Sequence, residues 1–385
     1  MKNYADRLAN FLEWCEIRCM DPLQAEYKRD LIGRYQGEML KGIWSRDGAA
    51  LAARTINSRV DVAAEYLSWA ADKGLRPPFD ISKVRKTYVA SSPTSSAGHL
   101  PRAVDARKGK VRENKRRLGF PLDKDIFSWL QRIYERKGEV GQLICETILE
   151  TAVRREEAAC WRVDTLPRDP AAWKIANRNA NLEQQAVLVD IRYGAKGKEY
   201  GRDHGDKIGP VGTIRIPMPI ALKLHEYREK VRPKALAIAI SQGKSIAEQR
   251  KIRDETVHLF LNPQDGKRYT GPDIYELWRS VKRPKGWSPH LARDFWACSL
   301  LWQRLEQQQQ LLELAQRANN DVIALHAFQN NALSIIRLEI QPQLRHVSTE
   351  TTMIYLQWLS DRLGVNLNLH QRWLEQLDED EETGE

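Results

Sequence analysis

Arg154, Lys196 or Lys198, His290, Arg293, His346 and Tyr355 are the side chains whose types suit breaking a phosphodiester. Two guanidiniums can hold its non-bridging oxygens and stabilise the added charge of a pentavalent transition state without a metal. A phenol, with a pKa of about 10, is a poor nucleophile unless a base or strongly positive surroundings activate it. Arginines and histidines supply such surroundings. A lysine at a β-hairpin tip can give a proton to the departing 5′ oxygen. Taken alone, Tyr355 and His346, nine residues before it, read better as an ordinary amphipathic helix residue and a loop histidine. No aspartate pair or Gly-rich phosphate loop is evident, so metal-assisted nuclease and P-loop chemistry lack support.

Short motifs carry these residues in a fixed order. TAVRREEAACWRVDTL places Arg154 and Glu157 after the helical pattern QLICETILE. The connection YGAKGKEYG holds Lys196 and Lys198, and Lys207 lies further along the same segment. SPHLARDFWA sets His290 and Arg293 three apart, a spacing that puts both on nearly one helix face. LRHVSTETTMIYLQW ends the series with His346 and Tyr355.

In this order the motifs resemble those of the tyrosine recombinases, the phage-integrase family of site-specific DNA recombinases. TAVRREEA is similar to the family's TGLRxxE, SPHLAR to its HxLR box, and LRHVSTETTMIYLQ to LGHxSxxTTxxYxH. The resemblance covers roughly residues 120–360 and implies that Arg154, Lys196, His290, Arg293, His346 and Tyr355 are catalytic, with Glu157 supporting them. Lys196 is the lysine it favours, because the family places one just after the hairpin's first strand. By the same resemblance, Tyr355 attacks a scissile phosphate to form a 3′-phosphotyrosine and free a 5′-hydroxyl, which then attacks the link on a partner duplex. ATP, metal and cofactor are not required. The implied assembly is a homotetramer on two double-stranded recombination sites, passing through a Holliday junction.

The sequence departs from the family pattern at three positions. Ala152 and Ala292 replace a glycine and a leucine, which are mild size changes. Arg345 replaces the glycine before His346, adding a long cation where glycine would serve a turn or close packing. The interval of 53 residues from Arg293 to His346 is longer than family members usually have, and its spacing predicts an elaborated helical insert.

A chain of 385 residues, 42% apolar, suits two domains. Residues 1–90 show helical periodicity, clearest at Ile56, Val60, Ala63 or Ala64, and Leu67, and predict a small helical bundle. It resembles the family's core-binding, DNA-binding domain. Residues 91–118 read as a basic interdomain linker that starts with SSPTSSAG. Residues 119–365 form the expected catalytic domain, with strands at AVLVDIRYG and GTIRIPMPI, and 366–385 a C-terminal helix and acidic tail. The fold class is therefore mainly α with a small antiparallel β-sheet. The resemblance implies that Leu367–Leu377 docks on a neighbouring protomer; packing on its own domain is the alternative.

Net charge is +10, but the last eight residues carry six acids, so the other 377 carry +16. A polyanionic partner is expected. The basic excess clusters in RKGKVRENKRR, where Arg107, Lys108, Lys110, Arg112, Lys115, Arg116 and Arg117 face one glutamate. Its place in the linker assigns it to DNA phosphates, and a solvated loop is the alternative. No apolar run of about 18 residues could span a bilayer, and the N-terminal stretch is amphipathic, so the chain is expected in the cytoplasm, at the nucleoid when on DNA. Five scattered cysteines predict reduced thiols and no structural zinc. The sequence reads as a recombinase or integrase of a mobile element. A type IB topoisomerase, or an inactive DNA-binding protein of the same fold, are the alternatives.

Overall fold

The apolar stripe of ARTINSRVDVAAEYLSWAAD does what its period dictates: Ile56, Val60, Ala63 and Leu67 are fully buried along one face of a helix. The computed structural model describes residues 2–88, 102–113, 117–194, 199–200, 204–307, 330–346 and 353–363. The chain divides into two compact units, Met1–Arg116 and Arg117–Glu385.

In the first unit, α1 (Lys2–Ile17), a π-helix (Tyr27–Gln36) running into α2 (Gly37–Leu40), and α3 (Ala53–Asp72) enclose an aromatic core. Tyr35 meets Phe11 edge-on at 5.5 Å and Trp14 at 5.1 Å between ring centroids. The unit is closed by a two-stranded antiparallel hairpin, β1 (Lys83–Tyr88) with β2 (Arg102–Arg107). The basic run follows β2 directly and is held against α3. Asn57 donates to the Val111 carbonyl and accepts from the Val111 amide, both at 2.9 Å. One turn on, Asp61 accepts from Arg107 at 2.5 Å and from Lys110 at 3.0 Å. Tyr27 and Gln36 donate to the carbonyls of Lys108 and Gly109. The segment expected as a linker is thus, from Arg102 to Val111, part of the first unit's fold.

The second unit is mostly helical around a small sheet. α4 (Asp123–Thr151) is interrupted at Gly138, whose φ of +76° no helix accommodates. After α5 (Arg155–Ala159) come β3 (Lys174–Ala176), β4 (Ala186–Tyr193), β5 (Glu199–Tyr200) and β6 (Lys207–Pro217), an antiparallel sheet in the order β3-β4-β6-β5. Alternation places Val187, Val189 and Ile191 of β4 in the core, and Ile214 and Ile216 of β6 beside them. GTIRIPMPI was expected as strand throughout, but the strand stops at Pro217 and α6 (Met218–Glu226) starts, with Pro219 in its first turn. Proline lacks the amide a central ladder needs and is tolerated where a helix begins.

A π-helix (Tyr227–Val231), α7 (Arg232–Ser241), α8 (Ile246–Glu255) and α9 (Gly271–Arg279) lead to α10 (Pro289–Glu306). A second π-helix (Ile336–Ile340) runs into α11 (Gln341–Leu344), and α12 (Met353–Leu363) is the last described element. One core gathers α4, the sheet, α6 and α9, and a second gathers α10, residues 332–344 and α12. Within the expected insert, residues 308–329 lie outside the described residues, as do Leu367–Leu377 and the acidic tail. All five cysteines are free thiols. Among the described residues no helix is long and apolar enough to cross a membrane.

Candidate active site

Three chain segments distant in sequence meet where α4 ends. Ala152 terminates that helix with φ +52°, a left-handed turn that redirects the chain so that Arg154 becomes the N-cap of α5. Glu157 caps the turn there: its Oε2 accepts from the Arg154 amide at 2.8 Å and its Oε1 from Arg154 Nη1 at 2.7 Å. The outer nitrogen, Nη2, donates to the Leu344 carbonyl at 3.2 Å.

Arg293 arrives on α10, which starts sharply because Ser288 accepts from the Leu291 amide and Pro289 occupies the first helical position. Its guanidinium, 5% exposed, donates to the Ala152 carbonyl and, at 3.0 Å, to the Leu344 carbonyl. Burial lowers its pKa to about 10, with Arg154 pushing the same way, so it remains charged at neutral pH. Arg154 and Arg293 therefore aim at one oxygen, that of Leu344. Two fixed cations converging on a point is the geometry that a non-bridging phosphate oxygen needs.

The α11 segment is itself pinned from several sides. Gln343, 5% exposed, accepts from the Arg215 amide of β6 at 2.8 Å and donates to the carbonyls of Thr151 at 2.7 Å and Arg215 at 2.9 Å. Arg345 ends α11 with φ +51°. The change of glycine to alanine at residue 152 is thus more than a change of size: Ala152 and Arg345 both hold left-handed backbone, at about 1–2 kcal/mol each. The Arg345 guanidinium pairs with Glu157 Oε1 and donates to the Ile191 carbonyl at 3.3 Å. It turns inward to the carboxylate that also holds Arg154.

The remaining expected residues fall as follows. His290 is exposed on the first turn of α10, one turn before Arg293. His346 is half-buried, its amide donating to the Gln341 carbonyl and its carbonyl accepting from the Gln341 side chain, each at 3.2 Å. Tyr355 lies on α12, fully buried beside Ala297, Cys298, Leu301 and Leu359, with its hydroxyl 3.2 Å from Asp294 Oδ1. Burial raises the phenol's pKa, the Asp294 carboxylate raises it further, and nearby Arg293 opposes both. The tyrosine is held protonated. Lys196 and Lys198 lie outside the described residues; Lys207 begins β6.

Of the basic run, Arg107 and Lys110 are spent on Asp61, whereas Lys108, Arg112 and Arg117 are exposed without an ion pair among the described residues. Lys115 and Arg116 lie outside them. Sequence reasoning missed a second basic feature of the first unit, a groove of about 350 Å³ lined by Asn3, Asp6, Arg7, Arg54, Thr55, Ser58 and Arg59. Its signal was the pair Arg54 and Arg59 flanking Thr55 and Ser58 at the start of α3. Gln343, Asp294 and Gly212 were missed too, because each acts through contacts remote in sequence. A larger cavity of about 1180 Å³ lies elsewhere, where Arg136, Lys137, Lys267, Arg268 and Arg279 face Glu255, Asp265, Asp273 and Glu276, a nearly balanced set of charges.

No protein-family model and no curated protein matches the chain. Among solved structures it is similar to the Tn1549 transposon integrase in complex with circular intermediate DNA, at 13% identity over 91% of this chain and 87% of that one, with a TM-score of 0.50. It is also similar to a XerA recombinase, at 15% identity over 96% of this chain and 91% of that one, with a TM-score of 0.33. The likeness to the integrase is one of fold, carried by a mainly helical chain with a small antiparallel sheet. The chain has the fold of the integrase-type tyrosine recombinases.

Proposed function

We propose that the protein is a site-specific DNA recombinase or integrase of a mobile element, cutting and rejoining double-stranded DNA through a 3′-phosphotyrosine. The observation that carries this reading is the convergence of Arg154 and Arg293 on the Leu344 oxygen, at 3.2 and 3.0 Å, with the Tyr355 phenol in the same core. A scissile phosphate takes over those donors: the guanidiniums hold its non-bridging oxygens and grow more favourable as charge accumulates at phosphorus. Tyr355 attacks phosphorus as its proton leaves, the bond to the 5′ oxygen breaks, and Lys196 supplies that oxygen with a proton. His290 and His346 donate to the same phosphate. Rejoining is the reverse attack by a 5′-hydroxyl of the partner duplex, within a homotetramer on two sites.

Attack requires the phenol to leave its place. Tyr355 is 0% exposed and bonded to Asp294, so α12 must shift before the hydroxyl meets DNA. The arginines of the first unit's groove, Arg7, Arg54 and Arg59, together with Lys108, Arg112 and Arg117, supply phosphate contacts. The test is a suicide duplex nicked near its cleavage point. Wild-type protein should be trapped on it in a denaturing gel, and Tyr355→Phe should bind the duplex without being trapped. Trapping of the Tyr355→Phe variant would assign the nucleophile elsewhere.

A further inference from the structure

Glu157 has two cationic partners, although capping α5 asks of it only the Arg154 amide. Its Oε1 accepts from Arg154 Nη1 at 2.7 Å and also pairs with the Arg345 guanidinium. Arg345 reaches there along an unusual path. Its backbone holds φ +51°, a conformation that favours glycine, and its side chain crosses β6 at Gly212. A Cβ on Gly212 would stand 2.4 Å from Arg345 Cδ and 3.2 Å from its Cγ, so the strand admits the arginine only because residue 212 has no side chain. Across the ladder from Gly212 is Ile191, whose carbonyl accepts from Arg345 Nη1 at 3.3 Å.

We infer that Arg345 is a positioning residue for Arg154, acting through Glu157, and that Gly212 is the gap that seats it. A lone Glu157–Arg154 pair is neutral, and without Arg345 the Arg154 amide alone would hold the carboxylate's other oxygen. Bracing Glu157 with a second, largely buried guanidinium fixes the carboxylate in orientation, and Arg154 with it. It also leaves the trio with a net positive charge facing the phosphate. The Arg345 backbone takes part too, since its carbonyl lies 3.5 Å from Arg154 Nη2. Residue 345 thus holds Arg154 from two sides, and the strained turn is kept for that purpose.

The inference rests on the recombinase reading, and its experiment separates the two. Single-turnover covalent attachment of the full chain is measured on the suicide duplex carrying either a phosphate or a neutral methylphosphonate at the scissile position. Wild type must attach to the phosphate duplex; failure there overturns the recombinase reading and this inference with it. Given attachment, Arg345→Met should slow it about 10- to 100-fold, the size typical of a lost supporting contact. Arg345→Gly should slow it equally while leaving the thermal midpoint unchanged or higher, because glycine relieves the left-handed turn. Gly212→Ala should reproduce the loss with Arg345 intact, and adding it to Arg345→Gly should cost little more. On the methylphosphonate, which has one oxyanion fewer, these variants and Arg154→Ala should all regain most of the difference from wild type. Equal losses on both substrates, or a wild-type rate for Arg345→Gly, would overturn the inference and leave the recombinase reading standing.

Discussion

The two halves of the candidate site are built in opposite ways. The cationic half is assembled: the guanidiniums of Arg154 and Arg293 are fixed by a carboxylate and by the carbonyls of Ala152 and Leu344. The half that carries the proposed nucleophile is stored, with Tyr355 sealed in a core against Asp294. Cations in a protein interior need partners at all times, so their cradle must exist before the phosphate arrives. A neutral phenol has no such need. It can rest in a core and be delivered late, which under the proposed function would keep the nucleophile inactive until the site is filled.

Removing a cradle arginine should give the largest effect. Arg154→Ala and Arg293→Ala should each slow covalent attachment about 10²–10³-fold, as expected for a lost donor to developing charge. Stability should tell them apart. Arg293→Ala strips a donor from two carbonyls at a site where the side chain is 5% exposed, so its melting temperature should fall more than that of Arg154→Ala. Equal rates of attachment in wild type and Arg293→Ala would break the idea of a preassembled cradle.

A smaller effect is expected away from the chemistry. Neutralising Arg7, Arg54 and Arg59 together should weaken binding to any duplex, and the slope of log affinity against log salt should fall by about 2–3 units, at roughly 0.9 per lost phosphate contact. Attachment by the bound fraction should survive. Neutralising Arg107 and Lys110, which Asp61 already occupies, should change that slope far less. The reverse ranking would return phosphate contact to the start of the basic run.

The smallest predicted effect concerns a third charged assembly, built like the cradle around one buried carboxylate. Asp206, just before β6, accepts from His258 at 2.9 Å, Arg268 at 2.6 Å and Arg162 at 3.3 Å. Burial pushes its carboxyl up, but hydrogen bonds from His258 and Arg268 outweigh this and hold it well below the usual carboxylate range. A folded pKa below the unfolded value of about 4 means that this stabilisation is present above pH ~4 and is lost as pH falls through the folded pKa. Asp206→Asn should lower stability at neutral pH and flatten the acid limb of stability against pH. An acid limb as steep as wild type would show that this carboxylate contributes nothing to it.

What the sequence made legible follows the same division. Arg154, Glu157 and Arg293 were singled out by the order of their motifs, and the elements that carry them, a turn capped by Glu157 and a helix start fixed by Ser288 and Pro289, are local in sequence. The helical first unit and the alternating strand β4 could be read for the same reason. Gln343 and Gly212 could not, since their importance arises from contacts with partners 128 or more residues away. The direction of Arg345 was equally hidden; only the fold turns it from the phosphate toward Glu157. The pairing of Arg107 and Lys110 was hidden because Asp61 and Asn57, which hold that part of the basic run, sit on α3 some 50 residues earlier. Charge counted along the chain does not reveal which charges the fold has already paired.

The central claim, that a sealed Tyr355 is delivered to a prebuilt arginine cradle, is tested most directly by finding the atom that joins protein to DNA. The trapped covalent complex is digested with protease and nuclease, and the linked peptide is sequenced by mass spectrometry. The account predicts a single adduct, a 3′-phosphate ester on the Tyr355 hydroxyl. An adduct on another residue, or a 5′-phosphate link, would contradict it.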